Sequence, residues 1–165
     1  MNDIKVLIIE DEPLIAEDIA ACLRRCDYRV TGIVYSAEDA LPELARNPPD
    51  IAMIDINLNG GQEGISIANA INERFYIPFV YLTSYSDRKT LELAKHTGPS
   101  GYIVKPFTEA GLCATLEVAL HNHQIAEKLF VSTNTVKVHI KNAYLKLDAI
   151  SRATVIVRLR ELMLK

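Results

Sequence analysis

Five short apolar stretches recur along the first two thirds of the chain: "IKVLIIE" (4–10), "YRVTGIV" (28–34), "DIAMID" (50–55), "PFVYLTS" (78–84) and "GYIVKP" (101–106). Runs that are nearly continuous, rather than alternating apolar with polar, belong to strands buried on both faces of a parallel sheet. The segments between them carry helix punctuation. Pro13 fits the first turn of a helix reaching about Cys26. Ser36 with Asp39, a capping box with Asp in place of the usual Glu or Gln, opens a second helix that Pro48-Pro49 stops. A Gly-rich loop, "NLNGGQEG", leads into a helix near 65–74, and another helix is predicted near 87–96. Five β-α units with short links predict an α/β fold, a doubly wound five-stranded parallel sheet, over residues 1–121.

Polar residues fall at particular places in this pattern. Glu10, Asp11, Asp55, Thr83 and Lys105 all stand at the C-terminal ends of predicted strands, the edge where open α/β sheets bind ligands. Crowded carboxylates repel one another, and a hard divalent cation such as Mg²⁺ relieves this with oxygen ligands. The cation would also shield an incoming phosphoryl group, whose equatorial oxygens Lys105 and Thr83 can bind. Asp55, centrally placed, is the natural nucleophile. Any one of these residues alone would be an ordinary surface acid or cap; five at matching strand ends make a site.

The motifs "IIEDEP", "IDINLNGGQEG", "YLTS" and "GYIVKPF" together make residues 3–121 resemble a CheY-like (flavodoxin-like) receiver domain of a two-component response regulator. The resemblance implies that Asp55 accepts a phosphoryl group from a sensor histidine kinase. It implies direct Mg²⁺ ligation by Asp11, Asp55 and the Asn57 backbone carbonyl, with Glu10 acting through water. Thr83 and Lys105 would hold phosphoryl oxygens, Tyr102 would be the switch aromatic, and Lys105-Pro106 a cis peptide. Such a protein is a phosphoacceptor and not an enzyme. A dehalogenase-like phosphohydrolase would want a second acid two residues after its nucleophile, where this chain has Asn57. A dinucleotide-binding fold would want its glycine fingerprint after the first strand.

Beyond residue 121 the charge changes sign. Residues 1–121 carry 10 Lys/Arg against 18 Asp/Glu, a balance of −8, and residues 122–165 carry 8 against 3, a balance of +5. A basic segment on an acidic body suggests a polyanion partner for that segment alone. "IAEKLFVSTNTVKVHIKNAYLKL" (125–147) resembles the later part of a LuxR-type helix-turn-helix, with helices at 125–130, 133–147 and 153–164 as the scaffold, recognition and closing helices. The family's first, bracing helix is absent. No Gly or Pro occurs from Leu112 to Lys165, so residues 108–130 are predicted as one continuous helix shared by receiver and helix-turn-helix appendage. Val136, Ile140, Ala143 and Leu147 share an apolar stripe, which leaves Thr135, Lys137, Val138, Lys141 and Asn142 as candidate contacts to duplex DNA through residues 133–147. The alternative is a degenerate helical tail (122–165) that serves dimerisation or protein binding; apolar residues on more than one face of "ATVIVRLRELML" make a homodimer the expected state either way.

Hydrophobic residues make up 49% of the chain, enough for a sizeable core, yet no apolar run is long enough to span a bilayer and the start does not read as a signal peptide. A cytoplasmic protein without membrane contact is expected. Cys22 and Cys26 stand one helical turn apart and Cys113 lies far along the chain. Without a Cys-x-x-Cys or a nearby His pair, the three are expected to be reduced thiols on helices. His121 and His123, two apart, face different ways on a helix and make no metal pair.

Overall fold

A computed structural model describes residues 3–84, 88–129 and Thr135. Among the described residues, five strands alternate with five helices: β1 (Lys5–Ile9), α1 (Pro13–Arg25), β2 (Arg29–Val34), α2 (Ala37–Arg46), β3 (Ile51–Asp55), α3 (Glu63–Arg74), β4 (Phe79–Thr83), α4 (Arg88–His96), β5 (Gly101–Val104) and α5 (Glu109–Leu129), with one 3-10 turn at Leu58–Gly60. All strand pairs are parallel, in the order β2-β1-β3-β4-β5. This is the predicted doubly wound sheet.

Side chains alternate across the sheet because the strand period is two. Val6, Ile8, Ile51, Met53, Val80 and Leu82 pack under α1 and α5, against Ile19, Leu23, Leu112 and Leu116. Leu7, Ile9, Ala52, Ile54, Phe79 and Tyr81 face the other way, toward Leu44, Ile67, Ile71 and Ala94 of α2, α3 and α4. Every residue of β3 and β4 is buried. Each fully buried Leu or Ile is worth about 2 kcal/mol relative to exposure, so sliding a central strand by one residue would exchange two complete apolar faces. The strand ends are thereby fixed in place.

Local signals hold with two modifications. Ser36 caps α2 by accepting from the Asp39 N–H at 3.3 Å, but its hydroxyl donates to the Asp39 carboxylate at 2.8 Å. The Asp side chain is one methylene short of Glu, and it binds the cap's hydroxyl in place of a reciprocal backbone bond. The third helix begins at Glu63, two residues before its predicted start, because the loop closes early through the 3-10 turn. The predicted continuous helix of 108–130 is observed as α5, Glu109–Leu129.

The cysteine expectation is overturned. Cys26 and Cys113 form a disulfide with Cα atoms 6.5 Å apart, and Cys22 alone is a free, buried thiol. Spacing along the chain concealed the pair: its members are 87 residues apart, on α1's C-cap and in α5. Among the described residues no helix is long and apolar enough to cross a membrane. The chain divides into two units, Met1–His121 and Asn122–Lys165.

Candidate functional site

Parallel register brings the predicted polar residues to one edge. Ile9 pairs with Ile54, Asp55 with Leu82 and Thr83 with Val104, so the residues ending β1, β3, β4 and β5 are neighbours. Glu10 follows β1 directly and is fully buried, with its N–H bonded to the Val34 carbonyl at 3.0 Å. Asp55 and Thr83 are the last residues of β3 and β4 and are buried. Lys105 follows β5, donates its backbone N–H to the Thr83 carbonyl at 2.8 Å, and precedes Pro106 through a cis peptide. The backbone of Thr83 thus sets the height at which Lys105 enters the site.

Lys105 Nζ lies 2.7 Å from Asp55 Oδ2 and 2.6 Å from Glu10 Oε2. The first contact is a well-formed hydrogen bond; the second is a close ion pair, and Glu10 Oε2 has no aligned donor. One ammonium therefore serves two carboxylates, and the shortfall lands on the more buried of them. Burial pushes the Glu10 carboxyl up to about 7 from its ordinary 4.5, helped by the Asp55 charge and opposed by Lys105. Burial alone would lower the Lys105 pKa, but the hydrogen bond to Asp55 and the close carboxylates of Asp55 and Glu10 outweigh it and the pKa rises.

The remaining contacts hold the loop after β3. Asp55 Oδ1 accepts the Asn57 N–H at 2.9 Å, and Asp11 Oδ2 accepts the Asn59 N–H at 3.0 Å. Asn59 takes a left-handed conformation (φ 53°), which Asn tolerates better than most residues, and its amide reaches the Glu63 carboxylate at 3.0 Å. Glu10, Asp11 and Asp55 each offer an oxygen within 4.8 Å of the others. That donor set fits a hard divalent cation, and Glu10 Oε2 is a buried acceptor without an aligned hydrogen-bond donor. The Asn57 carbonyl, expected as a further ligand, accepts the Gly60 N–H at 2.8 Å; one of its two lone pairs is thus in use and one remains.

Tyr102 sits on β5 opposite Tyr81, ring centroids 5.9 Å apart, with its hydroxyl buried and unpartnered. Burial raises its pKa, and the Glu92 charge adds to this. It belongs to the packing beside the site, not to the carboxylate cluster. Of the candidate DNA contacts, Thr135 is helical and half-buried; Lys137, Val138, Lys141 and Asn142 lie outside the described residues, as do most of the predicted 133–147 helix and all of the 153–164 helix.

One functional position was missed by sequence reasoning. A Cβ on Gly64 would stand 2.0 Å from the Asp55 carbonyl oxygen and 3.0 Å from both Asp55 C and Ile56 Cα. The first turn of α3 rests directly on the backbone carrying Asp55, and only glycine permits that approach. Its trace in the sequence was the last glycine of the "NLNGGQEG" loop, indistinguishable there from the two loop glycines before it.

Residues 6–117 match the response regulator receiver domain family, and residues 115–159 match the luxR family of bacterial regulatory proteins. Among curated relatives, the transcriptional regulatory protein PdtaR of Mycobacterium tuberculosis is 34% identical over 116 residues, 70% of this chain and 56% of PdtaR. The phyllosphere-induced regulator PhyR of Methylorubrum extorquens is 30% identical over 125 residues, 75% of this chain and 46% of PhyR. The chain thus spans about half the length of these relatives. Among solved structures, the signal receiver domain of a modulated diguanylate cyclase from Desulfovibrio desulfuricans G20 superposes with a TM-score of 0.69 at 32% identity, covering 73% of this chain and 96% of that one. The N-terminal domain of a response regulator/sensory box/GGDEF protein from Carboxydothermus hydrogenoformans gives 0.67 at 31% identity, covering 73% and 97%.

Proposed function

The chain belongs to the response regulator receiver family, with a luxR-family segment following the receiver, and on that premise we propose that Asp55 takes a phosphoryl group from a sensor histidine kinase to control a DNA-binding tail. The reading rests on one observation above all: Lys105 Nζ bridges Asp55 and Glu10 at the C-terminal edge of the sheet.

In the transfer, an Asp55 carboxylate oxygen attacks phosphorus and the histidine N–P bond breaks. The electron pair leaves with the imidazole nitrogen, which takes up a proton. The Asn57 N–H holds Asp55 Oδ1 and so orients the carboxylate for in-line attack. Lys105, already at Oδ2, needs to move little to meet a phosphoryl oxygen. Thr83, buried at the end of β4, offers its hydroxyl to another. Mg²⁺, held by Asp11, Asp55 and the Asn57 carbonyl with Glu10 behind them, would neutralise the charge gathering on the phosphoryl oxygens. Tyr102 reports the change, since a shift of Thr83 alters the space beside Tyr81. The protein on this reading is a phosphoacceptor and does not turn over a substrate of its own.

A second reading has its own support. Leu129, in the unit that begins at Asn122, is 61% exposed, apolar surface that a partner helix would cover; a homodimer formed there needs no DNA. Electrophoretic shift of duplex DNA, with and without a small acyl phosphate donor, tests the two. Phosphodonor-dependent retardation supports DNA output. A donor-dependent change of mass in solution without retardation supports the oligomer.

A further inference from the structure

Two helices of the receiver are joined at one corner by two different links. Cys26, the C-cap of α1, is bonded to Cys113 in the second turn of α5. Beside it, Arg25 Nε lies 2.6 Å from Glu109 Oε2, an exposed ion pair between the same helix ends. Cys26 and Cys113 are both half-buried, so neither residue is sealed in the core. Cys22, one turn earlier, is buried with its Sγ 3.2 Å from Arg25 Nη2.

The fold does not depend on this bond. A domain of this size builds its own core, and α1 and α5 are packed onto the sheet through Ala16, Ile19, Leu23, Leu112, Leu116 and Ala119, apolar contacts that do not involve the sulfurs. What the bond fixes is the start of α5, the helix that carries the chain from the receiver match into the luxR-family match.

We propose that Cys26–Cys113 is a thiol–disulfide exchange site, open to small dithiols and to glutathione-type disulfides, whose state decides whether the start of α5 is locked to α1. In the reducing direction a thiolate of the dithiol attacks one sulfur, the Cys26–Cys113 bond breaks, and the reductant's second thiol resolves the mixed disulfide. Two electrons pass to the pair, two protons end on Cys26 and Cys113, and the dithiol leaves as its own disulfide. In the oxidising direction one glutathione disulfide forms the protein bond and departs as two glutathione thiols. Cys22 stays out of the exchange: burial raises its pKa, which keeps it as the unreactive thiol.

The test equilibrates the full chain in glutathione buffers from fully reduced to fully oxidised, quenches with acid, alkylates in denaturant and counts modified cysteines by mass, with peptide mapping. One alkylated cysteine, Cys22, is expected in the oxidised buffer and all three in the reduced buffer. Reduction should lower the melting temperature by about 10 °C while leaving the circular dichroism folded, and Cys113→Ser should melt identically in both buffers. Three free thiols under oxidation, a bond involving Cys22, or a reduced protein that is unfolded would each overturn the proposal.

Discussion

Lys105 Nζ and Asp55 Oδ2 are 2.7 Å apart, and the lysine side chain is only 14% exposed. Lys105 is thus the countercharge for a nearly dry pair of carboxylates, Asp55 and Glu10. Lys105→Ala should destabilise the metal-free protein by about 3 kcal/mol near pH 8, the usual cost of removing one partner of a buried ion pair. The variant should still bind Mg²⁺, since the lysine is no metal ligand, but fail to sustain the phosphorylated state. Urea titration and Mg²⁺ calorimetry check this; collapse of Mg²⁺ affinity with signalling preserved would reverse the assignment.

Gly64 makes a second, purely steric prediction. With the Asp55 carbonyl oxygen 2.0 Å from a would-be Cβ, Gly64→Ala must push α3 or the end of β3. A stability loss of about 3 kcal/mol is expected, at the upper end for overpacking. Displacing Asp55 by even part of an ångström should also slow its phosphorylation, on the order of 100-fold. Equal phosphorylation rates in variant and parent would refute the positioning role.

Glu10 gives the fold a pH dependence. Its carboxyl titrates near 7 in the folded protein and near 4.5 otherwise, so between these values the folded state holds a proton that the unfolded chain has released. Its contribution to stability is fully present below about 4.5 and is lost as pH rises through about 7. In chelator, the parent should therefore lose stability relative to Glu10→Gln between about pH 5 and about pH 8. Parallel urea midpoints for the two proteins over that range would contradict it.

Much of this was legible in the sequence, for identifiable reasons. Strands such as "DIAMID" are buried on both faces, so their apolar runs are unbroken and their polar ends conspicuous; Glu10, Asp11, Asp55, Thr83 and Lys105 were found that way. The contacts that define the site's mechanics were not legible. Gly64 meets Asp55 only because a helix start folds back on a strand end, and Cys26 meets Cys113 only because α1 and α5 share one face of the sheet. Neither closeness leaves a periodicity. Likewise, nothing in the residue types shows that the Asn57 carbonyl also accepts the Gly60 N–H.

For the tail, the prediction rests on charge and spacing. If Lys137 and Lys141 meet phosphates on duplex DNA, replacing either with Ala should weaken binding and reduce its salt dependence by about one counterion. Asn142→Ala should blur sequence preference instead. Fluorescence anisotropy across a salt series measures both; unchanged slopes with intact affinity would place these residues away from DNA.

The most direct measurement is the site of phosphorylation itself. The full chain is incubated with Mg²⁺ and a small acyl phosphate donor, quenched, and mapped by mass spectrometry beside Asp55→Asn, which keeps the shape of the carboxylate but removes the nucleophile. One phosphoryl group on Asp55, and none on the variant, is the predicted result. A phosphoryl group on another acid, at undiminished occupancy in Asp55→Asn, would contradict it.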